Sequence, residues 1–282
     1  MRPPSDVIDN TPSMPFRRVN DIDMYYEDTG AKAGTAPVLL LHGLGSSTRD
    51  WEYQWPALAG AYRVVACDLR GHYRTTKARG PYSVPQLAAD VIGLLESLDL
   101  PAAHLVGISM GGMVGIELAL DAPERVRSLT VVNAGPHLDF SGLRTRAMLG
   151  LRLTLLRLAG MRPVGWMLAR EMFPEKGQEE LRRKVARRWA ENDTRCYLES
   201  AKAVLAYDAR QRVSGIRCPT LVVRGGLDLT PMELDASRLP RARRVVIPGS
   251  RHATVVDAAG RFNELLLQFI SPRDWPGGEG GP

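Results

Sequence analysis

Ala103-His104-Leu105-Val106-Gly107-Ile108-Ser109-Met110-Gly111-Gly112 is the stretch from which the rest of this 282-residue chain can be read. An apolar run leads into Gly107-Ile108-Ser109-Met110-Gly111, and a helix-patterned segment, Met113 to Leu120, follows at once. A bare G-x-S-x-G match is a common glycine-rich turn; set between a strand and a helix it is the sign of a nucleophile elbow. The turn forces the serine into a strained backbone conformation, so the residues two before and two after it must be small, as Gly107 and Gly111 are. Ser109 is therefore predicted to stand above the C-terminal edge of a sheet, at the positive end of the following helix.

Outward from that stretch the pattern alternates. Val19 to Asp28 reads as an edge strand, and Pro37-Val38-Leu39-Leu40-Leu41-His42-Gly43 as a strand buried on both faces. Ser47 to Leu58 follows as a helix, Tyr62 to Asp68 as a strand, and Ser83 caps a helix running through Leu98. After the Ser109 unit come strands at Ser128–Ala134, Pro219–Gly225 and Arg243–Ile247, then a last helix over about 253–270. Strand–helix alternation predicts an α/β fold with a mostly parallel sheet. It breaks at Pro136, and from Ser141 to Val213 only helical segments fit: 143–158, 164–173, 179–192 and 197–206. The expected organisation is a flexible arm at 1–15, a core made of 16–135 and 217–271, a helical cap at 136–216, and a disordered tail at 272–282.

Composition narrows the function. Hydrophobic content is 44% and no apolar run approaches the roughly 20 residues a membrane helix needs. With no apolar segment of a secretory signal near the N-terminus, a cytoplasmic protein is expected. Cys67, Cys196 and Cys218 lack metal-ligand spacing and read as free thiols. The net charge of +6 has a local origin, since 141–216 holds 16 Lys/Arg against 8 Asp/Glu. No aromatic-interleaved basic motif accompanies it, so solvated helix faces, and not a nucleic-acid surface, are expected.

A serine hydroxyl needs a base within hydrogen-bond reach, and that base needs an acid to hold it. Among five histidines, His252 in Pro248-Gly249-Ser250-Arg251-His252-Ala253 falls between the last strand and last helix, on the sheet edge of the elbow. His42 is better placed to shape a loop, His72 lies in a polar loop, and His104 and His137 read as structural or surface residues. Asp228 follows the strand ending in Gly225-Gly226, with Thr230-Pro231 expected to start a helix. Asn133 occupies the other strand end where a carboxylate could sit, and it cannot serve. The Asp68-Leu69-Arg70-Gly71 run reads as a loop-fixing ion pair.

With His42-Gly43, Asp68-Leu69-Arg70-Gly71-His72, Gly107-Ile108-Ser109-Met110-Gly111-Gly112, Asp228 and Gly249-Ser250-Arg251-His252 in order, the chain resembles the α/β-hydrolase fold superfamily from Val19 to Ile270. The resemblance implies an eight-stranded sheet with an inserted cap, and a triad in the order Ser109, Asp228, His252. It implies an oxyanion hole from the backbone N–H groups of Leu44 and Met110, and no cofactor or metal. Relatives usually carry glycine at Tyr73, so this loop is expected to change shape. The Tyr73 ring becomes a substrate-contact candidate, with a surface position as the alternative. The stretch from Asp228 to His252 looks short, with a compressed helix near 233–239. Gly43, Trp166 and Met167 complete the substrate-contact candidates, and Met148, Leu151, Leu155, Met172 and Phe173 are further candidates to roof an apolar pocket. The expected reaction is hydrolysis of an uncharged, hydrophobic small ester or lactone through an acyl-enzyme, as a monomer or homodimer. An acyltransferase or cyclase, a carbon–carbon bond hydrolase, and a non-catalytic ligand receptor of the same fold stay open.

Overall fold

The computed structural model describes residues 15–271, so the arm expected at 1–15 and the tail expected at 272–282 lie almost wholly outside the described residues. Eight strands form one sheet: β1 (Phe16–Val19), β2 (Ile22–Asp28), β3 (Val38–Leu41), β4 (Val64–Cys67), β5 (Ala103–Ile108), β6 (Val126–Val132), β7 (Thr220–Gly225) and β8 (Ala242–Ile247). Their spatial order is β1-β2-β4-β3-β5-β6-β7-β8. The β1–β2 and β2–β4 pairs are antiparallel and every later pair is parallel. The edge strand read at 19–28 is thus the second arm of a hairpin, with Asn20 at φ 50° in its turn.

The continuous apolar runs are explained by burial on both faces. Leu39, Leu41, Val65, Cys67 and Leu105 pack on the side of α2 (Val84–Ser97) and α3 (Met110–Asp121). Val38, Leu40, Val64, Ala66, Val106 and Ile108 face the other way, toward α1 (Trp55–Leu58) and the C-terminal helix. Side chains alternate across a strand, so a strand sandwiched between helix layers must be apolar at every position. The Ser83 hydroxyl accepts from Gln86 N–H and caps α2 as its sequence requires.

One helix is much shorter than its pattern suggested. The 47–58 segment forms a 3₁₀ turn at Thr48–Trp51 and then the four-residue α1, because Pro56 is accepted only in a helix's first turn. Between β6 and β7 lie four helices and no strand: α4 (Leu143–Ala159), α5 (Met161–Met172), α6 (Glu179–Ala190) and α7 (Thr194–Ala206). They share a small core of Leu156, Met161, Val164, Leu168, Trp189 and Tyr197, against which Leu44 of the main body packs. The chain ends with α8 (Thr254–Asp257) and α9 (Ala259–Ile270). Among the described residues no helix is long and apolar enough to cross a membrane.

The ion pair expected within Asp68-Leu69-Arg70 does not form. Asp68 instead accepts from the backbone N–H groups of Thr48 and Arg74 at 2.7 and 3.2 Å. Arg70, 1% exposed, turns to fully buried Asp90 at 2.7 Å and to Asp21, which is largely exposed. Asp90 also accepts from Asn20 Nδ2 at 2.8 Å, so this bridge ties the hairpin turn, the post-β4 loop and α2 together. Removing one partner of a buried pair strands the other charge, which costs about 3–5 kcal/mol. Because the largely exposed Asp21 stays with Arg70, Asp90→Ala is expected to lower unfolding stability by about 3 kcal/mol, the lower end of that range, read as a shifted denaturant midpoint at unchanged m-value.

Candidate active site

Ser109 occupies the turn between β5 and α3 with φ 53° and ψ −119°, a left-handed conformation that a non-glycine residue holds only under constraint. The constraint is steric. A Cβ on Gly107 would collide with the Gly111 carbonyl, and one on Gly111 with the Leu41 carbonyl. Ser109 N–H donates to Val132 O at 3.0 Å and its carbonyl accepts from Met113 N–H at 3.1 Å, so both flanks of the turn are pinned. The hydroxyl makes no capping bond to α3 and faces a cavity of about 380 Å³.

His252 and Asp228 line the same cavity. His252 Nδ1 lies 3.2 and 3.3 Å from the two Asp228 oxygens and 3.0 Å from Thr230 Oγ1. Burial acts to raise the Asp228 pKa. The bond and charge of His252, with the Thr230 N–H at 3.0 Å, outweigh it and hold the carboxyl below its ordinary value. An ionised Asp228 fixes the proton of a neutral His252 on Nδ1 and leaves Nε2 as an acceptor.

Several groups that the sequence left without a role hold these side chains in place. Asn133 Nδ2 donates to the carbonyls of Arg251 and His252 at 3.1 and 2.7 Å, while its Oδ1 accepts from Gly225 N–H at 2.8 Å. Asp257 accepts from Arg251 N–H and Ser250 Oγ–H at 2.8 and 2.6 Å. The helix expected to start at Thr230-Pro231 is absent, and only a 3₁₀ turn at Ala236–Arg238 follows. Arg224 explains the difference. Its guanidinium donates to the carbonyls of Met232, Thr230 and Asp228 at 2.6, 3.0 and 3.0 Å, satisfying in extended form the groups a helix would have paired.

The Gly43-Leu44-Gly45 loop is suspended from two buried histidines. His42 Nε2 accepts from Leu69 N–H at 2.9 Å, which leaves Nδ1–H to donate to Gly43 O at 2.7 Å. His72 Nε2 accepts from Gly45 N–H at 3.1 Å and its Nδ1–H donates to Arg70 O at 3.0 Å. The Leu44 N–H has no acceptor among the described residues, and Met110 N–H opens α3, where helical geometry supplies none. A Cβ on Gly43 would sit 3.4 Å from Ser109 Cβ, so this loop lies directly beside the serine.

Of the substrate-contact candidates, Gly43 and Met167 line the cavity. Trp166 does not; it is 44% exposed and borders a separate surface hollow with Arg170 and Arg182. Tyr73 does not either. It keeps a positive φ of 33°, so the loop retains its left-handed turn, and its ring is held between the guanidinium groups of Arg49 and Arg74 at 3.8 and 4.8 Å. Met148, Met172 and Phe173 line the cavity as well, whereas Leu155 packs within the insert and Leu151 is about half exposed. Among the described residues no group of three or more His, Cys, Asp or Glu is placed to hold a metal ion.

An eight-stranded, mostly parallel sheet with a strained serine between β5 and α3 defines an α/β hydrolase, and residues 36–259 match the family described as alpha/beta hydrolase fold. The chain belongs to that family and is a hydrolase. It is 35% identical, over 93% of its length and 100% of the relative's, to a putative carbamate hydrolase RutD of Azorhizobium caulinodans. Its structure superposes on the enol-lactonase of Burkholderia xenovorans LB400 with a TM-score of 0.83, at 26% identity over 91% of this chain and 99% of that one. It also matches Est816, an N-acyl homoserine lactone degrading enzyme, with a TM-score of 0.78 at 26% identity over 90% and 100% of the two chains.

Burial lowers the pKa of His72 and of His104 to about 4, and burial with the neighbouring His72 pushes His42 well below the ordinary imidazole value. Unfolded histidines take up protons near pH 6.5, which these folded ones refuse. Their contribution to stability is therefore complete above about pH 6.5 and is lost as pH falls toward 4, by up to about 1.4 kcal/mol per pH unit for each. Ring-carbon NMR shifts of His42, His72 and His104 are expected to stay at neutral-imidazole values from pH 8 down to about 5.

Proposed function

We propose that the protein hydrolyses a carboxylic ester or lactone of a small, largely apolar molecule through an acyl-enzyme on Ser109. The carrying observation is that Ser109, His252 and Asp228 share one cavity with two unpaired backbone N–H groups beside the serine. His252 Nε2 takes the hydroxyl proton as Ser109 Oγ bonds to the substrate carbonyl carbon. The N–H groups of Leu44 and Met110 donate to the resulting oxyanion, and Asp228 stabilises the imidazolium. The carbon–oxygen bond to the alcohol then breaks as His252 returns the proton to the leaving oxygen. Water, deprotonated by the same imidazole, displaces Ser109 and releases the acid. In this reading the helices of 136–216 act as a cap, closing the cavity with Met148, Met167, Met172 and Phe173.

A second reading, hydrolysis of a carbamate, is favoured by the 35% identity to a protein of that name. The same acyl transfer operates at a carbamoyl carbon, so a substrate panel of esters, lactones and carbamates separates the two readings. A fluorophosphonate probe is expected to label Ser109, located by mass spectrometry of the labelled peptide. Ser109→Ala is expected to lose at least about 10⁴-fold in kcat, and Asp228→Asn about 10³–10⁴-fold, both on p-nitrophenyl esters. Full turnover in Ser109→Ala would remove the serine from the reaction. Arg224→Met frees three carbonyls of the Asp228 loop and is expected to lower kcat by up to about 10²-fold, as small misplacements of reacting groups do.

A further inference from the structure

The cavity beside Ser109 is mostly apolar, yet one strong cation is set into its wall. Arg152, on α4, lines it; the residue is part-buried and its Nε wholly so. Its Nε reaches no hydrogen-bond partner among the described residues. It lies 5.1 Å from the Tyr197 ring centre and 6.0 Å from that of Trp189. The Tyr197 hydroxyl is likewise buried and without a partner among the described residues. The other charged groups around the cavity are occupied: Arg251 pairs with Glu175 at 3.5 Å and Asp228 with His252. Asp50 hydrogen-bonds Ser46, with the charges of Arg188 and Arg49 acting on it. Glu171 of α5 also lines the cavity, from an exposed position, and its charge acts on Arg152 from beyond ion-pair distance.

Burial lowers the Arg152 pKa only to about 10, so the group stays charged at neutral pH. A part-buried cation whose Nε is shut off from water without a partner is costly to fold, and a ligand that pairs it recovers that cost. A planar guanidinium fork matches a carboxylate in two parallel bonds, and apolar walls strengthen them.

We infer that Arg152 binds a carboxylate on the substrate, so that the enzyme takes esters or lactones carrying a free carboxyl group at a distance from the scissile carbonyl. The inference rests on the Ser109 reading and amends the uncharged substrate expected from the sequence. Selectivity comes from the penalty on the alternative, because a neutral substrate fills the cavity while offering the guanidinium no counter-charge nearer than Glu171.

The test compares mono-p-nitrophenyl succinate, glutarate and adipate with their methyl-capped diesters. The native enzyme is expected to prefer at least one free acid over its capped form by tenfold or more in kcat/KM. In Arg152→Met that preference ratio is expected to fall at least tenfold, mainly through KM, and Arg152→Lys to keep part of it. A thermal unfolding midpoint no lower than the native one would show that Arg152→Met folds. Calorimetry of glutarate binding to Ser109→Ala, with and without Arg152→Met, reads the anion site without turnover and is expected to show binding that weakens tenfold or more. Ser109-dependent turnover with no preference for any free acid, or a ratio unmoved in Arg152→Met, would overturn the carboxylate site and leave the hydrolase reading standing. Turnover that survives Ser109→Ala would overturn the hydrolase reading instead. If Arg152→Met and Glu171→Gln lower stability equally with the ratio unmoved, Arg152 is the partner of Glu171 and the inference fails.

Discussion

Three backbones meet behind Ser109 at distances that leave no room for a Cβ. The end of β5, the first turn of α3 and the end of β3 approach so closely that only glycine fits at 107 and 111. The crowding forces Ser109 to φ 53° and lifts its side chain off the sheet, in front of the first free N–H of α3. The same contact sets the Gly43 loop against the serine, since the Leu41 carbonyl that Gly111 must avoid leads directly into that loop. The strained serine and the unpaired N–H groups beside it are in this way one geometric fact. Loosening the packing would move them together.

The remaining groups arrive on loops, and each loop is held by a polar side chain with a specific pair of partners. Asn133 suits its place because an amide can donate to the His252 loop and accept from β7 at once, which a carboxylate there could not do. Neutral imidazoles serve the Gly43 loop for the same reason. Each of His42 and His72 must present one donor and one acceptor, and protonation would turn the acceptor into a second donor facing a backbone N–H. Burial, which disfavours the charged form, enforces the state the geometry needs.

Much of the fold was legible because its signals are local. Doubly buried strands read as unbroken apolar runs, Ser83 announces its helix, and the glycines around Ser109 declare the elbow. The pairing of Asp228 with His252 followed from their positions at strand ends on one rim. Illegible features depend on partners far away in the chain. Arg70 looked like the mate of Asp68 two residues before it, yet its partner Asp90 arrives with α2. A helix after Thr230 was a fair reading of the pattern until Arg224 supplied partners for the carbonyls. Tyr73 broke the expected glycine, but Arg49 and Arg74 hold its ring and the left-handed turn survives. Trp166 has the composition of a pocket residue, but its helix turns that position outward.

Arg152 shows why composition could not set the polarity of the site. It is one of 16 basic residues between 141 and 216, and in the sequence nothing separates it from those that coat the insert's outer faces. What separates it is tertiary: α4 delivers it onto the rings of Tyr197 from α7 and Trp189 from α6. In the proposed reaction the chemistry and the selection of substrate thus sit on different parts of the chain. Ser109, Asp228 and His252 belong to the sheet's rim, while Met148, Arg152, Met167 and Phe173 belong to the insert. Leu44 bridges the two, its backbone beside the serine and its side chain packed against the insert's core, and Asn192 Nδ2 of the insert donates to Gly45 O at 2.6 Å, so the insert and the Gly43 loop are registered to each other.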